Sequence, residues 1–117
     1  MSSADIPIIS LGEPLLVSLQ GEISDTALTS LKKRLFKRLD EDPVNAVILD
    51  VSGLSVLDSF MARTLDELAR GGQIKGADTF LVGIRPEIAK TLVEMGLTIP
   101  GVKAEHSVEA VLNQIRT

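Results

Sequence analysis

The sequence predicts an α/β fold, a small, mixed, mostly parallel β-sheet flanked by about four helices. Three observations carry this expectation. Short β-rich apolar runs alternate with longer stretches of helical periodicity, the pattern of βαβ units. The run Val44–Val51 is apolar almost throughout, as suits a central strand covered on both faces. The 117 residues are 44% hydrophobic and 24% charged, near the averages of soluble globular chains. A chain of this length buries about two-thirds of its unfolded surface and needs no covalent staples. We expect one domain over residues 1–117, with no linker, repeat or low-complexity segment.

The elements follow in order. Ile6–Ile9 and Leu15–Leu19 are β-rich runs, and the turn-forming spacer Leu11-Gly12-Glu13-Pro14 predicts a hairpin between them. Gly21 ends the second run. Ser24-Asp25 offers a helix N-cap, and Ala27, Leu28, Leu31, Leu35 and Leu39 form one apolar stripe. Asp40-Glu41-Asp42-Pro43 closes that helix. Val44–Val51 follows as the central strand, broken by Ser52-Gly53, and Leu54–Leu57 is a short apolar loop. Asp58 is a good N-cap for a second helix with Phe60, Met61, Thr64, Leu65 and Leu68 inward, stopped by Gly71-Gly72. Thr79–Ile84 is another buried strand. Pro86 opens a third helix with Ile88, Leu92 and Val93 inward and Gly96 as its C-cap. Val102–Glu105 is a last strand. Ser107 caps a fourth helix with Val108, Val111, Leu112 and Ile115 inward.

Composition excludes several functions. With no cysteine there is no disulfide, thiolate metal site or cysteine nucleophile, which fits a reducing compartment. The lone His106 excludes multi-histidine metal sites. A net charge of −4, three Phe and no Tyr or Trp argue against nucleic acid as a partner. The first residues lack the features of a signal peptide, and no apolar run approaches the ~20 residues of a spanning helix. A cytoplasmic protein without a membrane partner is expected.

In open α/β sheets, function gathers beyond the carboxyl ends of the strands. Here Asp50, Ser52 and Gly53 at a strand exit precede Asp58-Ser59 at a helix start, and the reading places these polar groups near one another. With Asp58 as N-cap, Ser59 is the first helical residue, and its hydroxyl lies near the surface. A helix N-terminus tolerates added negative charge. A phosphate there adds about −1.5 to −2 charges while sparing the fold. The same Asp-Ser pair is also an ordinary helix start.

Other chemistries fit less well. Asp50 could be the phospho-acceptor of a receiver-like domain, but the acidic pair needed to hold Mg²⁺ after the first strand is replaced by Ser10-Leu11-Gly12. Otherwise Asp50 caps the loop through backbone N–H groups. A serine hydrolase needs a base and a nucleophile elbow. His106 is the only candidate base, and Leu57-Asp58-Ser59-Phe60-Met61 is no G-x-S-x-G. Gly71-Gly72 and Gly76 do not make a phosphate loop. Lys32-Lys33-Arg34 and Lys37-Arg38 form a basic cluster that is either a polyanion surface or the solvated face opposite the leucine stripe. Phe36, off that stripe, is a possible contact residue.

The segment Asp50-Val51-Ser52-Gly53-Leu54-Ser55-Val56-Leu57-Asp58-Ser59-Phe60 resembles the STAS domain of the anti-sigma factor antagonists, found also at the ends of sulfate transporters. Gln20-Gly21-Glu22-Ile23 resembles that family's turn after the second strand, and the likeness covers nearly the whole chain. Val56–Ala62 is most similar to the small scaffold proteins of bacterial stressosomes, the RsbS type. The resemblance implies the STAS fold and a non-enzymatic phospho-switch without metal or cofactor. It implies Ser59 as the phosphorylated residue, a cognate serine/threonine kinase (RsbT-like) that modifies it, and a phosphatase that reverses this. It further implies homo- and hetero-oligomers with RsbR-like STAS paralogues, a shell that retains the kinase until phosphorylation releases it. Beside Ser59, the partner-interface and supporting residues are then Asp58, Asp50, Ser52, Gly53, Glu22 and Asp25. A free anti-sigma factor antagonist in a partner-switching module is the alternative.

Overall fold

Strand and helix alternate to build one five-stranded sheet in the order β1-β2-β3-β4-β5. The computed structural model describes residues 6–116. The strands are β1 (Ile8–Ser10), β2 (Leu15–Gly21), β3 (Ala46–Leu54), β4 (Asp78–Val82) and β5 (Val102–Glu105). The helices are α1 (Asp25–Glu41), α2 (Ser59–Ile74), α3 (Pro86–Glu94) and α4 (Val108–Ile115). β1 and β2 form the expected antiparallel hairpin, and every later neighbour pair is parallel.

Period-two alternation along the strands sorts side chains into two layers. Val17, Leu19, Val47, Leu49, Val51 and Leu81 belong to one core with the leucines of α1, Met61, Leu65 and Leu68 of α2, and Ile88 of α3. Ala46, Ile48, Phe80 and Val82 point the other way and meet Val111 of α4. β3 is thus covered on both faces, as its apolar run requires. Successive crossovers in one direction place α1 and α2 side by side, and α4 alone takes the second face.

Helix starts agree with the sequence. Ser24, Asp58 and Ser107 accept hydrogen bonds from the backbone N–H of Ala27, Met61 and Ala110 at 3.1, 2.9 and 3.0 Å. These side chains satisfy donors that the helix leaves unpaired.

Three expectations are corrected. Ser52-Gly53 does not break β3, which continues to Leu54. The register shifts opposite Ser18/Gln20, and Gln20 then pairs with Gly53, so the polar dipeptide marks an irregularity in pairing. Gly71-Gly72 does not stop α2, which runs on to Ile74. The glycines serve close approach instead. A Cβ on Gly71 would lie 2.3 Å from Cζ of Phe36 on α1, and Gly72 packs beside the Ala77 carbonyl. Phe36 is accordingly half-buried between helices, partly exposed as its place off the stripe suggests. Val93 is 79% exposed, because α3 turns only Ile88 fully and Leu92 partly inward.

The long connection from α3 to β5 is pinned to α2 by Asp66. Its Oδ1 accepts from the Gly101 N–H at 2.9 Å and its Oδ2 from Arg70 Nε at 2.7 Å. Burial raises the pKa of this carboxyl, but these bonds and the Arg70 charge outweigh it and hold the group below the ordinary carboxylate range.

Candidate functional site

The carboxyl ends of β2, β3 and β4 and the helix starts beyond them form one edge of the molecule. There the chain leaves β3 at Leu54, passes through Ser55–Asp58 and enters α2 at Ser59. This loop is held from several sides. The Ser55 N–H donates to the Gly21 carbonyl at 2.9 Å. Leu57, 2% exposed, anchors the loop in the core, while its neighbour Val56 is 45% exposed.

Asp58 has extended backbone (φ −104°, ψ −179°), and its Oδ1 accepts from the Met61 N–H. Its carbonyl accepts the first helical bond, from Ala62, at 3.0 Å. Ser59 is therefore the first residue of α2 and is exposed to solvent. No acidic residue occupies the first turn after the cap. The hydroxyl consequently stands at the positive end of a sixteen-residue helix, on backbone fixed by the cap.

The turn from β2 to α1 borders this point. Glu22, Ile23, Ser24, Val56, Asp58 and Met61 line a shallow depression. Asp25 opens α1, and Glu22, Asp25 and Asp58 are all exposed. The rim beside Ser59 is acidic, with Val56 as its exposed apolar member.

Asp50, Ser52 and Gly53 are placed differently from the expected cluster with Ser59. Alternation sends Asp50 and Ser52 to the α4 face, opposite Leu49 and Val51. Asp50 Oδ1 accepts from the Ser52 N–H at 3.0 Å, the local capping bond anticipated for it. Both residues press on the β4–α3 turn. A Cβ on Gly83 (φ +77°) would lie 2.8 Å from Ser52 Cβ and 3.2 Å from Asp50 Oδ1, which explains a glycine there. Gly53 faces Gln20, whose Cγ would be 3.2 Å from an added Cβ. The structure thus joins Glu22 to Asp58, while Asp50 and Ser52 support the neighbouring turn.

The other candidates resolve into ordinary surface. His106 is exposed beside Gly83, Ile84 and Glu105 in a separate depression. In the basic cluster, Lys32 pairs with Glu67 at 3.0 Å, Lys37 with Glu41 at 4.0 Å and Arg38 with Asp42 at 3.4 Å. Exposed pairs of this kind stabilise little; Arg34 donates to Ser30 Oγ at 3.3 Å instead. Among the described residues, no group of three His, Cys, Asp or Glu side chains could hold a metal ion. No helix among them is long and apolar enough to cross a membrane.

Sequence reasoning missed Arg85. Its guanidinium reaches across from the start of α3 and donates to the Leu54 carbonyl, where the Ser59 loop begins. The one available signal was an arginine before Pro86, which must be extended and so projects from the helix start.

Comparison with known proteins bears on this edge. Residues 5–109 match the model of the STAS domain. The RsbT co-antagonist proteins RsbRD and RsbRC of Bacillus subtilis (strain 168) are each 28% identical over 107 residues, 91% of this chain. The chain spans only 38% of the length of those relatives. Among solved structures, a serine-to-glutamate form of Moorella thermoacetica RsbS superimposes with a TM-score of 0.82 at 27% identity, covering 97% of this chain and 96% of that one. A chain of the stressosome, described as a signal integration and transduction hub, gives a TM-score of 0.76 at 27% identity over 94% and 96% of the two chains. The fold, the strand exit and the matched span agree: the chain belongs to the STAS domain family.

Proposed function

We propose that this chain is a non-catalytic phospho-switch and scaffold of a stressosome-type assembly in the cytoplasm, acting as a single domain over residues 1–117. The observation that carries the reading is the exposed Ser59, the first residue of α2, on backbone fixed by the Asp58 cap. The RsbT co-antagonist relatives and the RsbS-like fold support the choice of partners.

A serine/threonine kinase of the RsbT type docks on the edge formed by Glu22, Asp25, Val56 and Asp58. Its ATP gives up the γ-phosphoryl group: the bond to the ADP oxygen breaks, a bond to Ser59 Oγ forms, and the hydroxyl proton passes to the kinase. The dianion then weakens the docked interface and the kinase leaves. A phosphatase hydrolyses the ester and restores the first state. Asp50, Ser52 and Gly53 keep the strand exit and the adjoining turn in place. RsbR-like STAS paralogues complete the oligomer.

Incubation with an RsbT-type kinase and ATP, followed by phosphopeptide mapping, tests the acceptor. Wild-type protein takes label at Ser59 and Ser59→Ala takes none while keeping its melting temperature. Label on another residue overturns the assignment. Size-exclusion chromatography with light scattering, with and without an RsbR-like paralogue, tests the scaffold. A very large mixed species is expected. A monomer or dimer under all conditions would replace the scaffold with a free antagonist.

A further inference from the structure

Arg85 is, among the contacts described, the one side chain of the β4–α3 turn bonded to the end of β3, where the loop to Ser59 leaves the sheet. As the residue before Pro86 it stands at the N-cap position of α3, yet its side chain caps nothing there. The guanidinium instead spans two elements. Nη2 donates to the carbonyl of Leu54, the last residue of β3, and Nη1 to Glu87 Oε2 at 3.3 Å. Only Ser55–Asp58 separate Leu54 from Ser59.

The same loop is tied on its other side by the bond from Ser55 to Gly21 and inward by Leu57. Arg85 is thus the outer of three anchors. Its Nε is buried without a partner. An arginine with one donor desolvated and unpaired is a poor choice for stability alone. A planar fork that must reach a carbonyl and a carboxylate together explains the residue type, and lysine has no such geometry.

We propose that Arg85 is a positioning residue for phosphoryl transfer to Ser59: it fixes the Leu54 carbonyl and so the direction from which the chain enters α2. The inference rests on the reading of Ser59 as acceptor. Positioning matters because in-line transfer depends on where the attacking oxygen lies.

The test compares wild type, Arg85→Gln and Arg85→Lys. Hydrogen exchange, which needs no kinase, reads the loop directly. Losing a hydrogen bond from a charged donor speeds exchange of the Ser55 amide, which is bonded to the Gly21 carbonyl, about tenfold in Arg85→Gln, with α1 and α4 unchanged. Steady-state phosphorylation by the same kinase reads the chemistry. There kcat falls about tenfold in Arg85→Gln while KM stays close to wild type, because the docking rim is intact. Arg85→Lys, which keeps one charged donor, recovers part of both effects. Unchanged exchange at Ser55, equal loosening throughout the molecule, or wild-type kcat in Arg85→Gln overturns the proposal. Wild-type protein that accepts no phosphate at Ser59 overturns the function itself, an outcome distinct from a variant that behaves as wild type.

Discussion

Phosphorylation of Ser59 should change binding by orders of magnitude and stability hardly at all. Two terms act on the free domain. The dianion sits on the first residue of α2, where negative charge gains about 0.3–1 kcal/mol from the helix terminus. Against this stands Asp58, whose carboxylate is already committed to the Met61 N–H. Each unit of the added charge, about 4 Å from that carboxylate, costs about 1 kcal/mol in water. The terms nearly cancel, so the phosphorylated domain should melt within about 4–8 °C of the unmodified one. Covering the site by a partner changes the balance. At an effective dielectric of 20 the same repulsion is about 4 kcal/mol, so docking loses the difference of about 3 kcal/mol, on the order of a hundredfold in affinity. The assay pairs thermal unfolding with titration of the kinase, both on protein phosphorylated at Ser59. Far-ultraviolet circular dichroism suits the melt, since the chain has no Trp or Tyr to report by fluorescence. A drop in melting temperature well beyond that range would refute the reasoning, because the switch would then work by unfolding α2. Equal affinity of both forms would refute it from the other side.

Three further outcomes are expected. Gly71→Ala should destabilise by about 1–2 kcal/mol, since overpacking against Phe36 costs more than the helix propensity gained. In a Phe36→Ala background the same change should instead stabilise, and a denaturation cycle with no coupling between the two sites would contradict the packing. Asp66 has a folded pKa below its ordinary value of 3.8, so its contribution is present above that pH and fades as pH falls through the folded value. The difference in melting temperature between wild type and Asp66→Asn should therefore shrink on acidification below about pH 4. A difference that stays constant down to pH 2 would remove Asp66 as the cause. Val56→Asp should change the melt little, because the side chain is 45% exposed and lies outside the buried core, and should slow capture of the kinase. Unchanged kinase binding would exclude Val56 from the contact.

The sequence made the layers legible because both periodicities are strong. The leucine stripe of α1, the apolar run of β3 and the three side-chain caps are local patterns, each with a local cause. The errors have a common origin in tertiary contact. Gly71-Gly72 reads as a helix stop until the ring of Phe36, on another helix, is seen to need the space. Val93 fits the apolar spacing of α3, but a short helix at the edge buries only one strip. Asp50 and Ser52 lie close to Ser59 along the chain, yet alternation along an extended strand turns them to the opposite face. Arg85 could not be found from spacing at all. Its partner, the Leu54 carbonyl, is a backbone group whose position depends on the whole sheet.

These placements bear on how the proposed phospho-switch would work. A modification on a flexible tail would change charge without fixing where it sits, and one inside the core would be inaccessible. Ser59 avoids both, because the residues that fix its backbone are turned away from it. Leu57 points into the core, the Asp58 carboxylate turns back to Met61, and the Ser55 and Leu54 backbone groups are bonded to Gly21 and Arg85. The hydroxyl itself remains exposed. A partner that reads this edge meets rigid backbone, an acidic rim and one apolar side chain, so added charge cannot be relieved by the loop moving aside. Loosening the anchors should therefore weaken the effect of phosphate even when Ser59 is fully modified. In Arg85→Gln, the ratio of kinase affinities for the unmodified and phosphorylated forms should fall below the wild-type ratio. An unchanged ratio would mean that charge alone, not charge on a fixed support, carries the signal.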